Sequence, residues 1–396
     1  MAEWSGMAGS LGRRGCERGL VRVVMAGLVP GAPRLAHVTD TAWDPGAFRD
    51  QVQSALDVFL DEQAGRLGPL GPDAARLLAE ARASVSGGKR FRAAFCYWGH
   101  RAVAGSAYDE DTEAALVRAC ASLELLHASA LVHDDYMDAS DTRRGRPATH
   151  RGFEAEHRHD GWRGDPEQYG ASAAILLGDL LLSWSDELLR RCGLPLEHVV
   201  AALDVFDRCR TEVITGQFLD VSVQARGKAD VDAAMTVLRF KSAKYSIERP
   251  LHIGATLAGG SSDQLTQLSA FGLPLGEAFQ LRDDLLGVFG DPSATGKPAG
   301  DDLVEGKRTV LVALALDAAS PAEAARLDAA LGTALSVADV AELRRIIDSS
   351  GAHEQVEEVI GRLAATATDA LARADLDPRA RDVLHELATA ATVRVV

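Results

Sequence analysis

An apolar, Ala- and Leu-rich run beginning near Thr112 has the period of a buried helix and ends in a cluster of carboxylates. Residues 131–146 read LVHDDYMDASDTRRGR. Asp134 and Asp138 stand one helical turn apart, so their carboxylates leave the helix on one face, with Asp135 beside them. Like charges at that spacing repel, and Asp is a poor helix former. An apolar helix that closes in three such groups is either solvated there or holding cations. Arg143 and Arg144 follow directly. Carboxylates beside arginines suit an anionic ligand that carries its own metal. Mg²⁺ bound by one or two carboxylates plus phosphate oxygens is such an arrangement.

A second acidic pair answers the first. Residues 271–289 (FGLPLGEAFQLRDDLLGVF) form another apolar helical run with Asp283 and Asp284 near its end. The following GDPSATGKPAGDDLVEGKRT is rich in Gly and Lys and reads as a loop. One aspartate-rich helix is a weak signal; two, each leading into a basic or glycine-rich segment, are a strong one. Upstream, 86–92 reads SGGKRFR. Its glycines permit close backbone approach, and Lys89, Arg90 and Arg92 open the next helix, where amide groups attract anions. Taken alone GGKR is a solvated basic turn; beside two acidic helices it becomes a candidate diphosphate site.

With 396 residues and 47% hydrophobic content, the chain can bury a large core in one big domain or two. Ala, Leu, Glu and Arg dominate, aromatics make up 5%, and alternating β-branched runs are scarce, so the expected fold is all-α. A net charge of −15 opposes nonspecific nucleic-acid binding. The five cysteines are scattered without CxxC spacing and read as reduced thiols of a cytosolic protein. No apolar run reaches the ~18–20 residues that span a bilayer, so no stable membrane insertion is expected. Residues 23–29 loosely imitate a signal core but are short, and Glu17 interrupts the basic flank. The chain is read as untargeted and cytoplasmic.

Residues 1–40 are rich in Gly, Ala and Arg and carry no helical stripe; they are expected to be a disordered N-terminal extension, leaving 41–396 as one domain. Asp44-Pro45 reads as an N-cap with Pro at the first helical position. His127, two turns before Asp134, is of a type that is usually a satisfied core or surface residue; only its neighbours single it out. Residues 152–170 look charged, irregular and too long for a connector, which suggests a lid, with His157 and His159 as solvated loop residues. A helix over 195–223 carries Gly216, Gln217 and Asp220 on an apolar background. Another over 231–246 bears Lys241, Ser242 and Lys244 near its end, where a lysine either meets phosphate or complements the helix dipole. The C-terminal third, opened by the capping box Ser320-Pro321-Ala322-Glu323, reads as structural.

Two acidic pairs facing each other across a bundle cavity would hold Mg²⁺ against a diphosphate. The chain has no Ser–His–Asp pattern, P-loop or Rossmann fingerprint, so diphosphate reads as a leaving group, not a phosphoryl donor. Metals would stabilise the charge that builds as a C–O bond breaks, and an apolar wall would shield a carbocation from water.

These residues resemble the trans-isoprenyl diphosphate synthases (polyprenyl synthetases), closest to the bacterial geranylgeranyl diphosphate synthases, from about Phe48 to the C-terminus. The family's DDxxD followed by RRG is matched by Asp134, Asp135, Asp138, Arg143, Arg144 and Gly145. The resemblance implies an aspartate metal set of Asp134, Asp135, Asp138, Asp283 and Asp284. It implies an allylic diphosphate contact at Arg143 and an isopentenyl diphosphate contact at Arg144. GGKRxRP is matched by Gly87 through Arg92, with Ala93 in place of proline. This implies an isopentenyl diphosphate site at Gly88, Lys89 and Arg92 with His127. Lys241, Ser242 and Ala243 match K-T-A, and Gln280, Lys297 and Lys307 imply further allylic contacts. The implied catalytic set is Asp134, Asp138, Arg143, Lys241, Asp283 and Lys297. One departure matters: Gly287 stands where the family often has the last aspartate of its second motif; it reads as a subtype difference, with a weakened or noncatalytic member as the lesser reading. The family implies a single all-α bundle around a deep central cavity, three Mg²⁺ ions with bound diphosphate, and a homodimer. Its substrates are isopentenyl diphosphate and the allylic dimethylallyl, geranyl and farnesyl diphosphates, with the released diphosphate as proton acceptor.

Residues one turn before Asp134 should line the cavity where the growing chain descends, and they are Ser129 and Ala130. In the family aromatics here close the floor at C15, so small residues imply a deeper tunnel. Leu126, Leu123, Tyr97 and Trp98 could form a lower floor, and C20 is the expected product. The competing readings are a class I terpene cyclase, a noncatalytic prenyl-diphosphate-binding partner subunit, and a di-iron bundle built on Glu124–His127 and Glu154–His157.

Overall fold

The computed structural model describes residues 43–105, 109–228, 230–290 and 300–392; the expected extension at 1–40 and Lys297 lie outside the described residues. The fold is all-α. Among the described residues the one ladder is the two-residue pair Thr142–Arg143 and Arg146–Pro147. The first helix, α1 (Pro45–Leu67), begins as its sequence predicts, with Asp44 Oδ1 accepting from the Gly46 and Ala47 amides at 2.8 and 3.1 Å. α2 (Pro72–Ser84), α3 (Phe91–Ala104) and α4 (Glu110–Met137) follow.

α4 is the axis of the core. Leu116, Leu123, Leu125 and Leu126 on it are buried, and the helix packs on α3, α1 and the later α6 (Pro166–Arg190). Each such side chain contributes about 1.5–3 kcal/mol relative to exposure. By length and composition α4 could cross a membrane, contrary to the sequence expectation; here it is the mostly buried centre of the bundle. The expected lid at 152–170 is also corrected. It forms α5 (Thr149–His159) and the start of α6, joined by a short turn. Phe153, His157, Trp162 and Tyr169 close that hairpin with ring centroids 5.3–6.1 Å apart. His157 is therefore a buried packing residue whose Nε2 lies 3.2 Å from the Arg163 carbonyl, not a solvated one.

α7 (Leu196–Arg226) leads to α8 (Val231–Val237), which continues without a break through a π-helical stretch, Leu238–Glu248, into α9 (Arg249–Leu257). Pro250 has no N–H to close an α-turn onto Ser246, and the Arg249 amide instead reaches back five residues to the Lys244 carbonyl. The wide turn is gripped by two glycines. A Cβ at Gly216 of α7 would lie 2.3 Å from the Lys241 amide nitrogen. One at Gly276 of α10 (Ser262–Phe289) would lie 2.5 Å from the Ala243 carbonyl. Any side chain at either position would push the π stretch, and Lys241 with it, out of place. A short helix α11 (Asp301–Val304) then precedes five C-terminal helices from Val310 to Thr392; the first four contribute apolar side chains to a second core cluster with α10, while the last, Pro378–Thr392, packs into the first.

Candidate active site

A cavity of about 1330 Å³ opens between α3, α4, α6, α7, the π stretch and α10. Asp134 and Asp283, from the two acidic segments, both line it. The first segment ends α4 and folds back through Ala139 and Arg144, non-glycine residues with φ near +54° and +52°. Asp134 Oδ1 lies 3.1 Å from Lys241 Nζ, and Arg143 Nη2 is 4.0 Å from its Oδ2. Burial would raise the Asp134 pKa, but Lys241, Lys307 and Arg143 outweigh it and hold it at about 2. Asp138 lies 3.5 Å from Lys307 Nζ, and burial together with the Asp134 charge pushes it up to about 6. Asp135 turns elsewhere: it is buried, and its Oδ1 accepts from Arg143 Nε at 2.8 Å and from Nη2.

In the second segment Asp284 is buried and accepts from Gln280 Nε2 at 2.8 Å. Burial, then the neighbouring Asp302, pushes it up to about 8. A carboxyl raised from 3.8 to about 8 is neutral in the fold and ionised in the unfolded chain, so its cost to stability grows as pH climbs between those values. Asp284→Asn, which keeps an acceptor for Gln280, should therefore raise the melting temperature of the ligand-free protein by roughly 3–5 °C at pH 8.5. Near pH 4 it should change little. Melting curves at the two pH values check this.

Three carboxylates that sequence reading left out of the site join it. Asp220 Oδ2 accepts from Lys241 Nζ at 2.6 Å; its signal was a lone charge one turn after Gly216 on an apolar helix. Asp302 lies 3.5 Å from Lys307 Nζ, and Glu305 pairs with the same lysine while accepting from Ser140 Oγ at 2.7 Å. Asp302 also explains Gly287. A Cβ there would fall 1.9 Å from Asp302 Oδ2, so a carboxylate from α11 occupies the room that a side chain at 287 would need. These neighbours raise the pKa values of both lysines against the effect of burial, so each remains an ammonium.

The basic loop divides its labour. Arg90, left-handed at φ +56°, is buried and donates to Glu124 Oε2 at 2.9 Å, Gln53 Oε1 at 2.7 Å and the Val85 carbonyl at 2.6 Å. It anchors the loop. Gly88, Lys89 and Arg92 line the cavity, and Arg144 donates to the Ser86 carbonyl at 3.0 Å with its guanidinium beside Gly88. Arg92 Nη2 donates to Ser246 Oγ at 2.8 Å. His127 Nδ1 lies 2.8 Å from the Tyr245 hydroxyl. Burial, then the charges of Arg92 and Arg144, pushes the His127 pKa well down, so its imidazole is neutral.

Ser242 and Gln280 also line the cavity, as do Leu126, Ser129 and Ala130. Leu182 of α6 and Val213 and Ile214 of α7 add to its apolar wall. Of the lower-floor residues expected from sequence, Leu123, Tyr97 and Trp98 do not line it. Tyr97 and Trp98 instead pack with Trp43 and Phe48 in a cluster with centroids 5.1–5.8 Å apart. The di-iron arrangement has no geometry behind it, because Glu124 is engaged by Arg90 and Glu154 by Arg151 and Arg158.

The carboxylates fit Mg²⁺. They are hard oxygen donors from two helices, and Asp134 and Asp283 face one cavity.

The polyprenyl synthetase family profile matches residues 75–348. A geranylfarnesyl diphosphate synthase of Aeropyrum pernix is 32% identical over 306 residues, covering 76% of this chain and 89% of that protein. A (2E,6E)-farnesyl diphosphate synthase of Mycobacterium tuberculosis is 36% identical over 225 residues, covering 57% of this chain and 56% of that protein. The crystal structure of a geranylgeranyl pyrophosphate synthase from Corynebacterium glutamicum, complexed with isoprenyl diphosphate and magnesium, has a TM-score of 0.86 and 42% identity. That likeness covers 89% of this chain and 100% of the other. The fold, the paired acidic helices over one cavity and these likenesses agree: the chain belongs to the polyprenyl synthetase family of prenyltransferases.

Proposed function

We propose that residues 41–396 form a synthase domain that joins isopentenyl diphosphate head-to-tail to dimethylallyl, geranyl and farnesyl diphosphates, with geranylgeranyl diphosphate (C20) as main product. The observation that carries this is the common cavity of Asp134 and Asp283, with a basic end at Lys89, Arg92 and Arg144 and an apolar wall beside it. Asp134, Asp138 and Asp283 would hold Mg²⁺, with Asp284 behind them, in a three-ion set. When bound, the metal supplies Lewis-acid stabilisation of the departing diphosphate.

The chain's own groups do the rest. Lys241, Lys307 and Arg143 neutralise the allylic diphosphate as its C–O bond breaks, with Lys297, Gln280 and Ser242 as further contacts. Gly88, Lys89, Arg92, His127 and Arg144 hold isopentenyl diphosphate so that its terminal carbon meets the allylic cation. The bond formed there leaves a cation that loses a proton to the released diphosphate. Apolar side chains of α4, α6 and α7 keep water from the cation. A terpene cyclase would have no use for the second, basic end, and Asp302 beside Gly287 removes the reason to read a noncatalytic subunit. Exposed Ile175, Leu176, Ile214 and Phe218 on α6 and α7 favour a homodimer, which sedimentation of the purified protein would test. We place the enzyme in the cytoplasm, which fractionation of its host cells would check.

Support for a C20 product comes from Ser129 and Ala130, whose small side chains line the cavity beside Leu126 and would leave a descending chain room. Purified protein given Mg²⁺, isopentenyl diphosphate and each allylic primer should yield mainly C20 alcohol after dephosphorylation and chromatography. Dominant farnesyl diphosphate would overturn the C20 assignment. Ser129→Phe should shift the main product to C15; an unchanged product would show that the floor lies elsewhere.

A further inference from the structure

We infer that Tyr245 is a positioning residue whose hydroxyl holds His127 in the tautomer that offers an N–H to isopentenyl diphosphate. This rests on assigning the basic end of the cavity to that substrate. Tyr245 lies on the π stretch, is 5% exposed, and lines the cavity together with His127. Its hydroxyl is 2.8 Å from His127 Nδ1, the hydrogen-bond partner it has among the described residues.

A neutral imidazole carries one N–H, and the bond made by one nitrogen decides the state of the other. With the phenol donating to Nδ1, the ring proton sits on Nε2, which can donate to a phosphate oxygen. In the reverse arrangement Nδ1–H donates to the phenol oxygen, Nε2 turns a lone pair toward an anion, and the buried phenol proton loses its acceptor. Both consequences are unfavourable, so the phenol-donor arrangement is the one that suits a diphosphate. The same π turn controls a second binding group. The Arg92 guanidinium lies 4.3 Å from the Tyr245 ring centroid and donates to Ser246 Oγ. Gly216 and Gly276 hold this turn between α7 and α10, so the packing of three helices reaches the substrate through two adjacent side chains.

The tautomer can be read without substrate, from the ¹⁵N spectrum of histidine-labelled wild-type protein, with the His127 signals assigned by their loss in His127→Asn. The expected spectrum has Nε2 protonated and Nδ1 as acceptor; in Tyr245→Phe a mixture of tautomers should appear. In turnover, Tyr245→Phe should raise KM for isopentenyl diphosphate roughly ten-fold, the worth of a weakened hydrogen bond to a charged group. KM for the allylic substrate and kcat should stay within about two-fold, because no allylic contact changes. An Nδ1–H tautomer in the wild type, an unchanged KM for isopentenyl diphosphate in the variant, or an equal rise in both KM values would each overturn the inference. A wild-type protein that consumes no isopentenyl diphosphate would instead overturn the proposed function, and the spectrum would still report the tautomer.

Discussion

Gly287→Asp, which restores the residue that the family often carries, is expected to cripple this protein. The new Cβ would sit 1.9 Å from Asp302 Oδ2 and 2.4 Å from its Cγ. Asp302 has little freedom to retreat, since it is buried, pairs with Lys307 Nζ, and its carbonyl accepts the Lys307 amide at 2.9 Å. Overpacking of this kind costs about 1–3 kcal/mol. A further carboxylate would also enter a pocket where Asp284 is already pushed up to about 8, and burying an uncompensated charge adds several kcal/mol more. Together these approach the whole stability of an ordinary domain, about 5–15 kcal/mol. The variant should melt far below the wild type and retain under about 1% of its turnover, whereas Gly287→Asp with Asp302→Gly should recover most of the stability. Melting curves and prenyl transfer rates decide it. A single variant as stable and active as the wild type would mean that Asp302 does not take the place of the missing side chain.

The two acidic motifs were legible because their chemistry lies in local spacing. Asp134 and Asp138 must share a helix face, and GGKR must lead into a helix start. Asp302 was not legible, because Gly287, whose place it fills, is brought to it by the return of α11 across α10, a tertiary event without a sequence period; Lys307, five residues on, is a local partner. Asp220 was visible as an oddity, but nothing local could show that Lys241 would come to it across the π stretch. That stretch was hidden too, since a π turn has no hydrophobic period of its own and Pro250 was its one trace. The supposed lid failed for a different reason. Arg158, Asp160, Arg163, Asp165 and Glu167 are exposed, Glu154 is buried against Arg151 and Arg158, and Phe153 and His157 pack inward on Tyr169, so composition pointed to a loop where a short amphipathic helix stands. Tyr97 and Trp98 are likewise large, apolar and near α4 in the fold, yet they face Trp43 on the far side of α3 and not the cavity.

Neighbouring aspartates of one motif should fail in opposite ways. Adjacent helical positions do not share a face, and the structure separates Asp134, on the cavity, from Asp135, against Arg143. In Asp135→Asn the half-buried Arg143 guanidinium loses the carboxylate it is bonded to and keeps Asp134 at 4.0 Å, a loss of about 1.5–3 kcal/mol for a hydrogen bond between charged groups. The variant should melt below the wild type, and its folded fraction should still turn over with a raised KM for the allylic diphosphate. In Asp134→Asn the lysines keep other partners: Lys241 keeps Asp220, and Lys307 keeps Asp138, Asp302 and Glu305. The lost attraction, judged from a carboxyl held at about 2, is on the order of 2 kcal/mol, and relief of Asp138 returns part of it. Stability should therefore change little, while kcat falls roughly 10³-fold, since a group that acts on charge developing in the transition state is gone. Excess Mg²⁺ should not restore it. Melting temperatures, kcat and KM for both variants, measured over a Mg²⁺ titration, separate the two roles. Equal destabilisation of the pair, or near-normal kcat in Asp134→Asn, would show that the two carboxylates had been assigned the wrong way round.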